Sequence, residues 1–180
     1  MRLPAIATLI TALAFGIFAP THAHLAVAAS PRAAGTCQNY QLLIRPHSSQ
    51  GAAGSIAVIF QIHNLSSHTC SLTGYPGIQL LTRQFTSLPT TVHRGRGDLV
   101  GAIPVRTVTL APNGNAYFAM GYSDVIVNNQ PCPRDYYVMI FAPNDYLPVV
   151  TYPFPGPGHT ITACSGTLYV SPVTPNPRYQ

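Results

Sequence analysis

The chain has 180 residues and a formal net charge of +5; all nine cations are Arg, all four anions are Asp, and Lys, Glu and Trp do not occur. The Arg residues are scattered, which excludes the clustered basic stripe of a nucleic-acid binder. Abundant Pro, Gly and Tyr point instead to rigid turns and half-buried strands.

Met1–Ala29 carries the three zones of a secretory signal: a positive end at Arg2, an uncharged apolar stretch Ala5–Phe18 and a small-residue exit region. Cleavage fits after Thr21-His22-Ala23, Ala26-Val27-Ala28 or Val27-Ala28-Ala29. The apolar stretch falls short of the roughly 20 residues that cross a bilayer, so no stable membrane span is expected after cleavage. No cysteine opens the mature chain to accept a lipid. The protein is therefore expected to be secreted or held in the cell envelope, with residues 30–36 as a flexible linker. An exported chain meets an oxidising compartment, where Cys37, Cys70, Cys132 and Cys164 read as two disulfides.

Tyr40–Arg45 is a first strand, stopped at Pro46, and Pro46–Gly54 reads as a turn or loop. Ser55–His63 carries the strongest strand pattern, with Ile56, Val58, Phe60 and Ile62 alternating against smaller or polar neighbours. Ile78–Thr82 is another strand, and Ser87–Gly101 a long loop with an irregular strand near Val92. Val105–Leu110 alternates cleanly and ends at Pro112-Asn113-Gly114, whose Asn-Gly pair signals a hairpin returning through Ala116–Tyr122. Val125–Asp135 is polar loop, Tyr136–Phe141 a strand, and Tyr146–Thr151 a short edge strand. The prolines of Tyr152–His159 prevent regular pairing. Thr160–Cys164 and Gly166–Val170 form the last strand region, split by a bulge, and residues 173–180 a Pro-rich disordered tail. With no amphipathic helix and no βαβ rhythm, the pattern is all-β: an antiparallel sandwich or barrel of seven to eight strands.

The run Cys70-Ser71-Leu72-Thr73-Gly74-Tyr75-Pro76-Gly77, with Cys37 before it and a closing C-x-x-x-L-x-V-x-P from Cys164 to Pro172, resembles the secreted actinobacterial domain-of-unknown-function family 4232. The resemblance covers nearly all of 37–172 and implies an immunoglobulin-like β-sandwich, often found in lipoproteins. It implies no activity and no catalytic residue. Four cysteines allow three pairings; Cys37–Cys70 with Cys132–Cys164 is favoured, since each pair brackets a hairpin-sized block and pins a loop to a strand start.

No G-x-S-x-G elbow occurs, and Asp98, Asp124, Asp135 and Asp145 are the only side-chain carboxylates. A small extracellular hydrolase using loop Asp and His is the alternative reading, and a purely structural envelope protein a further one. His63, His68 and Cys70 would interest a metal only as free thiolate and imidazoles, and export favours the oxidised sulfur, so no metal and no cofactor is expected. Arg96-Gly97-Asp98 matches an adhesion tripeptide but reads as solvated loop. Tyr136, Tyr137, Tyr146, Tyr152 and Phe154 gather around Pro-rich segments, with Arg134 and His159 at their rim. Tyr on a rigid scaffold buries area at low entropy cost, so this is the candidate surface for a protein or a cell-wall component. The expectation is a non-catalytic binding or accessory module.

Overall fold

The computed structural model describes residues 34–126, 129, 131–154 and 160–179; the leader and most of the linker, with residues 155–159, lie outside them. The described residues form eleven strands: β1 (Gly35–Thr36), β2 (Leu42–Ala52), β3 (Ser55–Asn64), β4 (Cys70–Thr73), β5 (Gly77–Leu81), β6 (Thr91–Arg94), β7 (Thr107–Leu110), β8 (Asn115–Ser123), β9 (Tyr137–Phe141), β10 (Pro148–Thr151) and β11 (Thr167–Val170). They make a five-stranded sheet in the order β2-β3-β8-β11-β6 and two three-stranded sheets, β10-β9-β5 and β1-β4-β7. The count exceeds the expected seven or eight: the two-residue β1 is too short to show an alternation, and β4 lies in the Cys70–Gly77 run, where no strand was expected, while β6 is the irregular strand expected near Val92. Two of the pairings, β1 with β4 and β6 with β11, are parallel, against the antiparallel expectation.

All three sheets contribute to one core. Val58, Phe60 and Ile62 of β3 meet Phe118, Met120 and Tyr122 of β8, Leu72 of β4, Leu80 of β5 and Ile140 of β9. Phe60 stacks on Phe118 at 5.2 Å, opposite it in register. The disulfides are Cys37–Cys70 and Cys132–Cys164, the favoured pairing, and among the described residues no cysteine is free.

Residues 46–52 are strand, where a loop was expected. β2 lies at the sheet edge, and Pro46 sits there at a register break, so its missing N–H costs no ladder bond. The turn shrinks to Ala53 and Gly54, both in the left-handed region that a two-residue hairpin requires. A side chain at Gly54 would also collide with Val125.

The Asn113-Gly114 turn forms, with Asn113 at φ 61°, but it does not close the expected hairpin. β7 pairs with β4 and β8 with β3 and β11, so the chain crosses from one sheet to another at this corner. Buried Asn64 explains the crossing. Its amide donates to the carbonyls of His68, Leu110 and Ala111, while its Oδ1 accepts from the N–H and the hydroxyl of Ser66. Its backbone adds bonds with Asn113 and Gly114. Asn64→Ala would leave the buried Leu110 carbonyl and the partly buried His68 and Ala111 carbonyls without the amide, and a loss of about 3 kcal/mol is expected in urea unfolding; a loss under about 1 kcal/mol would mean that water replaces the amide. A second knot joins the chain after Cys37 to the β9–β10 turn. Buried Asn39 donates to the carbonyls of Ile140 and Leu147 and accepts from the Ala142 N–H, while its own N–H donates to Asp145.

The outer face of the five-stranded sheet is covered as well. Ile59, Val100 and Ala119 form a small cluster there, packed by Tyr117, Tyr169 and Tyr179. The segment 173–179, part of what was expected as a disordered tail, is placed by bonds to this sheet and its neighbours. Thr174 pairs with Tyr117, the Val173 N–H donates to Gly74, and Tyr179 bonds Gly101 through its carbonyl and Ser48 through its hydroxyl.

Candidate functional site

The sheet β10-β9-β5 has one face in the core and one toward solvent, following the two-residue period of a strand. Val138 and Ile140 of β9 are buried, while Tyr137, Met139 and Phe141 are half-buried on the opposite face. Val150 of β10 lies beside Met139 on that face and is exposed.

At one end of this face three rings meet. After β5 the chain makes a tight loop fastened by Thr82. Its hydroxyl oxygen accepts from the N–H groups of Gln84 and Thr86, and its carbonyl accepts from the Phe85 N–H. The loop holds Phe85 at φ 60°, a conformation that bulky residues rarely adopt. The result is a Phe85 ring stacked on Tyr137, with centroids 4.4 Å apart and planes 15° apart, although Phe85 remains 59% exposed. Tyr152, just past β10, approaches Tyr137 at 5.4 Å and is itself exposed. A strained backbone that presents an aromatic ring to water is a functional signal, since burial does not account for it.

Tyr137 and Tyr152 thus come together as one surface. Tyr146 does not join them: it is 92% exposed at the β9–β10 turn, roughly 20 Å along the strand from Tyr152 at the strand rise per residue. Tyr136 is half-buried and its N–H bonds the Leu81 carbonyl. Phe154 packs against the core, Arg134 is exposed, and His159 lies outside the described residues. Phe85 is the member that sequence reasoning missed, because a left-handed Phe leaves no mark in a sequence pattern.

The four carboxylates are dispersed. Asp98 accepts from the Ser55 hydroxyl at 3.1 Å. For Asp145, partial burial alone would raise the carboxyl, but the N–H groups of Leu147, Asn39 and Tyr146 outweigh it and hold the carboxyl below its ordinary value. Asp135 is fully buried; its backbone exchanges two 3.0 Å bonds with Ile161, yet neither carboxylate oxygen has a hydrogen-bond partner. Burial pushes its pKa up to about 7; the nearby Ala163 N–H opposes the shift without the geometry of a hydrogen bond. The Tyr122 hydroxyl is driven far above its usual range by burial first and then by the charges of Asp124 and Asp135.

The Arg96-Gly97-Asp98 segment is a packed cover, not a free loop. Gly97 and Val100 exchange two backbone bonds, and the Asp98 carbonyl lies so close over Gly121 of β8 that a Cβ there would meet it at 2.0 Å. Cys70 is bonded to Cys37, so His68 has no thiolate beside it.

A family model described as a domain of unknown function, DUF4232, matches residues 37–174. No curated protein and no solved structure matches the chain.

Proposed function

The chain belongs to the DUF4232 family of domains of unknown function, and we propose, from its own surface, that it is an exported, non-catalytic binding module of the cell envelope. The contact surface is the outer face of β10-β9-β5, centred on Phe85, Tyr137 and Tyr152, and its ligand is a cell-wall component or an envelope protein. The observation that carries this reading is the exposed ring stack held by a strained loop. Aromatic rings contribute most of the energy at recognition surfaces because they bury large areas with few rotatable bonds. Two disulfides fit the oxidising compartment that the leader-like N-terminus implies. We take the three sheets as the two layers of an immunoglobulin-like sandwich, the five-stranded sheet facing the other two; the core they share supports this.

The competing reading, a small hydrolase, has one observation in its favour: Asp135 has the raised pKa of a general acid. Its carboxylate is buried out of reach of any substrate, however, and the other three Asp lie on separate elements.

Co-sedimentation of the purified protein with isolated cell-wall polymer, and separately with envelope protein fractions, tests the proposal. Phe85→Ala and Tyr137→Ala are each expected to weaken retention about tenfold in the arm that binds, with unfolding temperatures lowered by only a few degrees. Undiminished retention by both variants, or no retention of the native protein in either arm, would refute the assigned surface.

A further inference from the structure

A second site lies on different elements. A cleft of about 290 Å³ opens between the segment that leads into β7 and the C-terminal segment, lined by Ile103, Pro104, Arg106, Val173, Thr174, Pro175 and Arg178. We propose that this cleft binds a small organic phosphate monoester, with Arg106 and Arg178 as the anion clamp.

Charge comes first. Arg106 and Arg178 are both exposed, and among the described residues neither has an ion pair or hydrogen bond. Asp98 and Asp145, the carboxylates nearest to satisfied in this chain, are engaged by Ser55 and by backbone N–H groups. Both guanidinium groups line the same cleft without a partner in the chain, so an anion entering it would meet two cations. A carboxylate needs one guanidinium fork, whereas a phosphate monoester carries a charge of about −1.5 to −2 and three acceptor oxygens, which two forks match.

Preorganisation comes second. Arg178 sits on a segment pinned on both sides of it. Thr174 pairs with Tyr117, and its hydroxyl donates to the carbonyls of Tyr117 and Asn176; Tyr179 is tied to Gly101 and Ser48. Arg106 immediately precedes β7, which is fixed to β4 by four register pairs. Both cations are thus delivered by anchored backbone, and little chain entropy is lost when an anion is clamped.

Shape comes third. Apart from the two cations and the internally bonded Thr174, the walls are Ile103, Pro104, Val173 and Pro175. That apolar lining gives free phosphate nothing to touch but suits the short carbon skeleton of an ester. The volume is at the small end of ligand pockets, which run from about 300 Å³ upward, so a single small molecule fits and a polymer chain does not.

Isothermal titration of the full chain with glycerol 3-phosphate, inorganic phosphate and acetate at low salt is the test. Glycerol 3-phosphate is expected to bind most tightly, inorganic phosphate at least threefold more weakly, and acetate more weakly still. Arg106→Gln and Arg178→Gln should each lower the ester's affinity about tenfold, while Arg83→Gln, an exposed cation elsewhere, leaves it unchanged. Arg178→Lys keeps the charge, loses the fork and should fall between native and Arg178→Gln; it also serves if Arg178→Gln loosens the C-terminal segment. Absence of binding by glycerol 3-phosphate at millimolar concentration overturns the proposal. So does equal weakening by Arg83→Gln, or phosphate binding as tightly as the ester. None of these results bears on the ring surface of β10-β9-β5.

Discussion

At pH 8, Asp135→Asn is expected to be more stable than the native protein by up to about 4 kcal/mol, and near pH 4 the two are expected to match. The native carboxyl titrates at about 7 when folded, against the ordinary value of 3.8 in the unfolded chain. Between those two pH values the folded state binds the proton and the unfolded state does not, so stability falls as pH rises from about 4 to 7 and is level above that. A rise of that size corresponds to roughly 4 kcal/mol, an upper figure because water entry and relaxation reduce it in real proteins. Asparagine keeps the shape and removes the charge. Asp145 acts in the opposite sense, since its folded value is depressed: it contributes stability that is lost as pH falls into the carboxylate range, and its exposure keeps that contribution small. Urea unfolding of both proteins from pH 4 to 9, with disulfides intact, decides the matter. A native curve with no decline between pH 4 and 7, or a variant no more stable at pH 8, would mean that the carboxylate finds solvation after all.

Removing Cys37–Cys70 by double alanine substitution is expected to cost about 4 kcal/mol, and more than removing Cys132–Cys164. Sequence separations of 33 and 32 give the two crosslinks nearly the same effect on the unfolded chain. Their surroundings differ. Cys37 and Cys70 are both buried in the core cluster, and the bond sits where β1 joins β4, so its loss also opens a void. Cys132 is half-exposed in a loop, although Cys164 is buried. Urea midpoints of the two double variants at fixed pH measure the difference. Equal midpoints would show that chain entropy alone sets the value of each bond, and the reverse order would contradict the packing account. The same contrast predicts that mild reductant opens Cys132–Cys164 first, readable by mass after alkylation.

The all-β class and the central strand were legible because each rests on a local signal, whereas the cysteine pairing was one of three possibilities, favoured because each pair brackets a hairpin-sized block. The alternation of Ile56, Val58, Phe60 and Ile62 is strong enough to fix β3 and its core face. Where the reading departed from the structure, the deciding interaction is distant in sequence. Asn113-Gly114 is a turn in any context, but whether its flanking strands pair is settled by Asn64, some 50 residues earlier, which gathers the carbonyls of Leu110 and Ala111. Pro46 reads as a strand breaker until β2 is known to be an edge. Thr174 and Val173 look like tail until Tyr117 and Gly74 supply partners. For the candidate surface, Tyr137 and Tyr152 could be singled out by composition, while their separation from Tyr146 follows only from strand direction. Phe85 needed the Thr82 loop, whose hydroxyl contacts no periodicity reveals.

The position of β11 has a consequence for biogenesis. This strand is not appended at a margin but fills the gap between β8 and β6, pairing with both. A polypeptide that emerges from its N-terminus can lay down β2, β3 and β8 early, yet β8 keeps one side of its backbone open until residue 170 has arrived. A nine-residue strand paired to β3 on one side and open on the other is an edge that a neighbouring chain can extend. Maturation is therefore vulnerable late, and a nascent chain arrested before its last strand is a species prone to self-association rather than a smaller native protein.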